Sequence, residues 1–182
     1  MKNSRLRSVL VLVPSFLLLA TMRAQTPAAP PSAPPPPPPE MHQVEFWLGD
    51  WDVFANGTDQ QIGESRVEAV ADGWALLESW TARGPKVTGK SLNSFDRASG
   101  QWQQFWIGGG GGGIILFKGG LVDGKMVLEA TFVAAKGAPA LTRGIWTPNA
   151  DGTVRQQFEN STDGGKTWQP NFDGLYKRKP TR

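Results

Sequence analysis

From Met41 onward, apolar residues recur at every second position in short runs, and each run stops at turn chemistry. "WDVFANG" alternates from Trp51, and "ESRVEAVADG" alternates charged with apolar residues before Gly73. "WALLESWTARG" puts Trp74, Leu76, Glu78 and Trp80 on one face and Leu77, Ser79 and Thr81 on the other. "GKSLNSFD" ends in the turn "DRASG", after which "QWQQFWIG" sets Trp102, Gln104 and Trp106 on one side. "GIILFKGGLV" is followed by Asp123-Gly124, a two-residue hairpin signal, and "KMVLEATFV" alternates again. Three more strands surround "NADGT" and "STDGGKT". Only "MHQVEFWLG" has helical spacing, a short turn with Val44, Trp47 and Leu48 on one face.

The expected fold is therefore all-β, about 8–10 strands in an antiparallel meander with a short N-terminal helical turn. A meander of that length has to hide its edges, and closure into an up-and-down barrel does so. A β-sandwich is the alternative, because strand content alone does not separate the two. The run of six glycines, Gly108 to Gly113, raises the question of a phosphate-cradling loop. Such a loop needs Gly-x-x-x-x-Gly-Lys-Ser/Thr between a strand and a helix, or a βαβ unit. Neither is present, since no Lys-Ser/Thr follows and "IILFKGG" has strand character. The run reads instead as a flexible hairpin lip between two strands, glycine being the residue that loses most freedom on ordering.

The chain opens differently. Lys2, Arg5 and Arg7 precede an apolar run from Val9 to Ala20, and Met22 and Ala24 offer a cleavage site. Residues 1–24 are thus expected to be a secretory signal peptide, and the protein to be exported, periplasmic or secreted. A retained anchor is the alternative, but the run is short of the ~20 apolar residues a span needs, and Pro14 interrupts it. No stable membrane span is expected once the signal is removed. Residues 25–40, "QTPAAPPSAPPPPPPE", cannot bury a core and are expected to form an extended polyproline II linker; a ligand for a proline-reading domain is the sharper alternative. That leaves residues 41–180 as one domain.

Removing Lys2, Arg5, Arg7 and Arg23 takes the 19 Lys+Arg to 15 against 16 Asp+Glu, a net charge of −1. No basic stripe remains, and no nucleic-acid partner is expected. The chain has no cysteine, which excludes disulfides, thiolate metal sites and lipid attachment after the signal. Its stability must come from an aromatic-rich core built on the 8 Trp and the 8 of the 9 Phe that follow the signal, Phe16 lying within it.

Gly49-Asp50-Trp51, after the helical turn and at the start of the first strand, resembles the opening of the lipocalin-like (calycin) barrels. The resemblance implies that Trp51 closes one end of a barrel under a basic side chain of the last strand, here Lys177 or Arg178. "GKSLNSFDRASGQWQQFW", "DGKMVLEA" and "WTPNADGTVRQQFENSTDGGKTWQPNFDGLYKRK" are similar to a family of exported bacterial proteins classed only as a lipocalin-like domain of unknown function. The likeness spans nearly all of Met41 to Lys179 and implies a barrel without an established activity. In that family the glycine run is usually a shorter turn after "WVD", so Gly108 stands where an aspartate is usual. The related nitrobindin-like barrels hold haem through a late histidine. Here the single histidine, His42, precedes the first strand, so no haem and no other cofactor is expected. "STDGGKTW", Ser161 to Trp168, matches the Asp-box pattern Ser-x-Asp-x-Gly-x-x-Trp, a hairpin device that assigns structural roles to Asp163, Gly165 and Trp168 alongside Gly49 and Trp51.

Catalytic constellations are scarce. A Ser-His-Asp triad would depend on His42, a cysteine nucleophile is absent, no His/Cys cluster marks a metal site, and no catalytic residue is assigned. Glu78 and Glu129 could form an acid/base pair, or each could face solvent or pair with Arg143 or Arg155. An inward Glu78 would be a perturbed polar group in a cavity. A barrel interior can hold one small, partly apolar ligand, with Trp80, Trp106 and Phe158 as apolar surface and Glu78, Asn93, Gln104, Arg143 and Gln156 as polar contacts. The choice assumes one inward face per strand, and a register error of one residue would turn a set outward. A filled interior, an isomerase or hydrolase using Glu78 or Arg143, and a cell-envelope interaction module stand as alternatives.

Overall fold

In a computed structural model, which describes residues 35–84, 87–109, 113–133 and 138–180, the alternating runs become ten strands. The signal segment, the linker as far as residue 34 and the glycines 110–112 lie outside the described residues. The strands are β1 (Gly49–Ala55), β2 (Gln61–Val70), β3 (Ala75–Ala82), β4 (Thr88–Asp96), β5 (Gln101–Gly108), β6 (Ile114–Val122), β7 (Lys125–Val133), β8 (Pro139–Pro148), β9 (Val154–Ser161) and β10 (Gln169–Arg178). Each pairs antiparallel with the next, and β1 pairs with β10 through Trp51 opposite Arg178 and Val53 opposite Tyr176. That last pairing closes an up-and-down barrel and removes both sheet edges, which rules out the sandwich.

Local chemistry explains the turns. Between β6 and β7, Asp123 and Gly124 both adopt positive φ, 49° and 76°, the backbone that a two-residue hairpin matching the strand twist requires. Ahead of β1, Pro39–Trp47 forms a 3₁₀ helix that starts inside the stretch assigned to the linker, with proline at its N-terminal end. Met41, Val44 and Trp47 are its buried residues, and a period of three suits the 3₁₀ geometry; Leu48, expected on this face, is only half-buried just beyond it.

This helix covers one end of the barrel. Trp47 packs edge-on against Trp146 with ring centres 5.6 Å apart, and the Trp102 indole donates to Gln43 Oε1 at 3.0 Å. Trp51 is fully buried and donates from Nε1 to the Trp47 carbonyl at 2.9 Å. Of the two basic side chains expected above it, Arg178 takes the position, its guanidinium 4.4 Å from the Trp51 ring centre and bonded to the Leu48 carbonyl at 2.8 Å. Lys177 lies instead over Phe54. Gly49 is required here: its φ is +133°, and a Cβ would sit 2.5 Å from Arg178 Nη1.

In an up-and-down barrel every second loop falls at the same end. The helix enters at the start of β1, so the β5–β6 connection and the β9–β10 Asp-box hairpin both belong to the opposite end. In the latter, Asp163 accepts from the Thr167 N–H at 2.9 Å and from the Thr167 and Ser161 hydroxyls at 2.7 and 2.8 Å. Led by the Thr167 backbone bond, these contacts hold the Asp163 carboxyl down at about 2. Gly165 has φ +87°, and the Trp168 indole donates to the Gly165 carbonyl at 3.1 Å.

Candidate functional site

A cavity of about 490 Å³ occupies the half of the barrel away from the helix. Ile62, Ala82, Ile115, Phe132, Thr142, Asn160 and Asn171 line it toward the mouth, and Glu78, Gln104, Gln156 and Tyr176 line it at depth. Trp80, Trp106, Phe117, Phe158 and Phe172 complete the wall. An aromatic sleeve thus leads to a polar floor.

Two glycines explain why these large rings leave the lumen open. Gly63 on β2 and Gly89 on β4 face inward, and a Cβ on either would overlap the ring of Trp80 or Trp106 respectively. Each indole therefore lies along the wall in the place of a neighbour's missing side chain. Phe158 and Phe172 pack edge-to-face, 6.2 Å between centres, and Trp80 stands edge-on to Phe172 at 5.9 Å.

The floor is one directed hydrogen-bond chain. The Gln104 amide donates to Asn93 Oδ1 at 2.8 Å, Asn93 Nδ2 donates to Ser91 Oγ at 2.9 Å, and Ser91 Oγ donates to Glu78 Oε2 at 3.0 Å. From the other side, Ser65 Oγ donates to Glu78 Oε1 at 3.0 Å. Strand register builds this row: Glu78 pairs with Ser91, Ser91 with Trp106, and Asn93 with Gln104. Glu78 is 2% exposed. Burial pushes its carboxyl up from the ordinary 4.5 to about 7, although the Ser91 and Ser65 hydroxyls pull the other way by donating to the ionised form. Tyr176 donates its hydroxyl to Gln156 Oε1; burial, and then the charge of Glu78, push its phenol well up.

Of the residues expected inside, Glu78, Trp80, Gln104, Trp106, Gln156 and Phe158 line the cavity, and Asn93 is buried behind Gln104. Arg143 requires a correction. It points to the outer wall, where Nε donates to Glu159 Oε2 at 2.7 Å and the guanidinium lies 4.1 Å from the Trp168 ring centre of the Asp-box hairpin. Thr142, its neighbour in β8, faces the cavity instead. Glu129 is exposed, opposite Lys118 and Arg143, so it forms no acid/base pair with Glu78. Trp74 stands in the turn before β3 rather than within that strand.

Several lining residues escaped the sequence reading although a signal existed for them. Thr142, Gly144 and Trp146 share parity along β8, and a strand cannot place Arg143 on the face of Trp146. Tyr176, the chain's single tyrosine, shares parity with Phe172 and alternates with Asp173 and Lys177. Ile62 had no such signal, because the β1–β2 register shifts between Val53 and Phe54 and breaks the alternation there.

Chemically, the site offers binding surface and one titratable acid. Among the described residues no Lys, Arg or His lines the cavity, and no three His, Cys, Asp or Glu side chains group to hold a metal ion. No helix among the described residues is long and apolar enough to cross a membrane. No protein-family model matches the chain, and no curated protein matches it.

Proposed function

We propose that this protein is an exported, lipocalin-like barrel that binds one small, partly apolar molecule in its interior. The observation that carries the reading is the cavity: about 490 Å³, aromatic along its length and polar at its floor. Ligand sites commonly occupy roughly 300–1,000 Å³ with few, convergent polar groups, and this interior has that form. The resemblance to the lipocalin-like domain of exported bacterial proteins, the Gly49-Asp50-Trp51 start above all, supports the same reading, as does the proline-rich stretch as a tether.

Native mass spectrometry of the protein purified from its own host tests the proposal. A discrete bound mass that is lost on denaturation is the expected result; a ligand-free protein whose crystal structure shows the interior filled by side chains would overturn it.

A second reading rests on one specific observation, that Glu78 is a buried carboxyl lining the cavity, where burial pushes it up to about 7. A carboxyl so placed can take or return a proton on a bound molecule, as an isomerase or hydrolase requires. A Glu78→Gln protein that turns over a substrate of the native protein at an undiminished rate would remove Glu78 from that role.

A further inference from the structure

The interior binding reading leaves the class of ligand open, and the inference that follows rests on it. Three features of the cavity bear on ligand charge. Among the described residues, Glu78 is the one carboxylate lining it, and no Lys, Arg or His stands there to neutralise that charge. Both Glu78 oxygens already accept a serine hydroxyl, so what they still offer is lone pairs, and among the described residues none donates to the Gln104 carbonyl oxygen. The wall is built from Trp80, Trp106, Phe117, Phe158 and Phe172, whose ring faces carry negative quadrupole potential. The Glu78 carboxylate, the Gln104 acceptor and the ring faces present negative potential to whatever enters, beside the neutral amides and hydroxyl of Thr142, Gln156, Asn160 and Asn171.

A buried charge without a partner is costly, and the described residues supply no counter-charge here. We propose that the ligand supplies it: the cavity selects a protonated primary or secondary amine on an aromatic or apolar body, with the ammonium against Glu78 and Gln104 and the body between Trp80 and Trp106. Anionic molecules, fatty acids and aryl carboxylates among them, are excluded by the same potential. Cross-strand register suits such a ligand, since Glu78, Ser91 and Trp106 lie in one row and Trp80 follows Glu78 two residues along the same face.

Binding of a cation must then pull the proton off Glu78. The side chains that face Glu78 are Ser65 from β2, Ser91 from β4 and, as the other titratable group, Tyr176 from β10. Tyr176 remains a neutral phenol throughout the neutral range, so the linkage belongs to Glu78.

Three probes of one shape test this: 2-(1-naphthyl)ethylamine, 1-naphthaleneethanol and 1-naphthylacetate, titrated calorimetrically into the full-length secreted protein. The amine is expected to bind at least about tenfold more tightly than the alcohol at pH 8.5, and the carboxylate most weakly. At pH 5 that preference should shrink, and at pH 7 amine binding should release about half a proton, read from buffers of different ionisation enthalpy. Glu78→Gln should erase the amine preference, and a near-UV circular dichroism spectrum unchanged from that of the native protein shows that the variant is folded. If the alcohol binds as tightly as the amine to the unmodified protein at pH 8.5, or the carboxylate binds best, the charge selection is wrong and interior binding stands. If none of the three binds, the binding reading fails and this inference fails with it.

Discussion

Glu78 is ionisable at a position where ionisation opposes folding. Its carboxyl is raised in the folded protein from 4.5 to about 7, so the folded state holds this proton more tightly than the unfolded chain. Its contribution to stability is therefore fully present below about pH 4.5 and is lost as pH rises through about 7. At 1.36 kcal/mol per pH unit, the loss across that window is on the order of 3 kcal/mol. Glu78→Gln removes the titration and keeps the shape. The stability of the native protein minus that of Glu78→Gln should fall across this window in urea unfolding at pH 4 to 8, and a flat difference would refute the assignment. Asp163 shows the opposite case, an exposed carboxylate held ionised by the hydrogen bonds of its own hairpin. Its shift speaks of turn geometry and Glu78's of the cavity, so a perturbed acid in this chain is functional evidence only where it is buried among apolar walls.

At the level of the strand, neighbouring residues decide how much room the lumen has. Inward glycines on β2 and β4 accept the rings of Trp80 and Trp106, so these strands contribute aromatic surface without occupying the interior. Gly89→Ala should displace the Trp106 ring into the cavity, cost about 1–3 kcal/mol through overpacking, and weaken binding of 1-naphthaleneethanol. Gly120→Ala, whose added methyl meets open space, is the control and should leave both unchanged. Near-UV circular dichroism, which reports the tryptophan environments, together with a probe titration reads the outcome; unaltered binding by Gly89→Ala would show that the ring has another way out. Hairpin chemistry was the most legible part of this scale. Asp123-Gly124 announces a turn with two positive φ values, whereas the inward face of β8 was masked by Arg143, a polar residue one position away from the true cavity residue Thr142.

For the molecule as a whole, the pairing of β1 with β10 is decisive. It joins residues more than a hundred positions apart, closes the barrel and sets Arg178 over Trp51 at the capped end. The buried hydrophobic core runs from Met41 to Tyr176, within a compact unit spanning Pro35–Arg182. A chain beginning at Pro35 should therefore melt within about 2 °C of the longer protein, a difference below about 1 kcal/mol for a domain of this size. A markedly lower midpoint by calorimetry would show that the preceding residues support the barrel. The amino-acid sequence by itself determined the strands, most of their turns and the common face of Glu78 with Trp80, because a period of two and the φ demands of turn residues are local properties of the chain. Only the tertiary structure decided that the sheet closes, that Arg143 lies outside, that Trp106 rests on Gly89 and leaves the interior open, and that Glu78 titrates near neutrality. Each of these depends on what a distant strand brings alongside, and neither cross-strand register nor burial is encoded within any one segment.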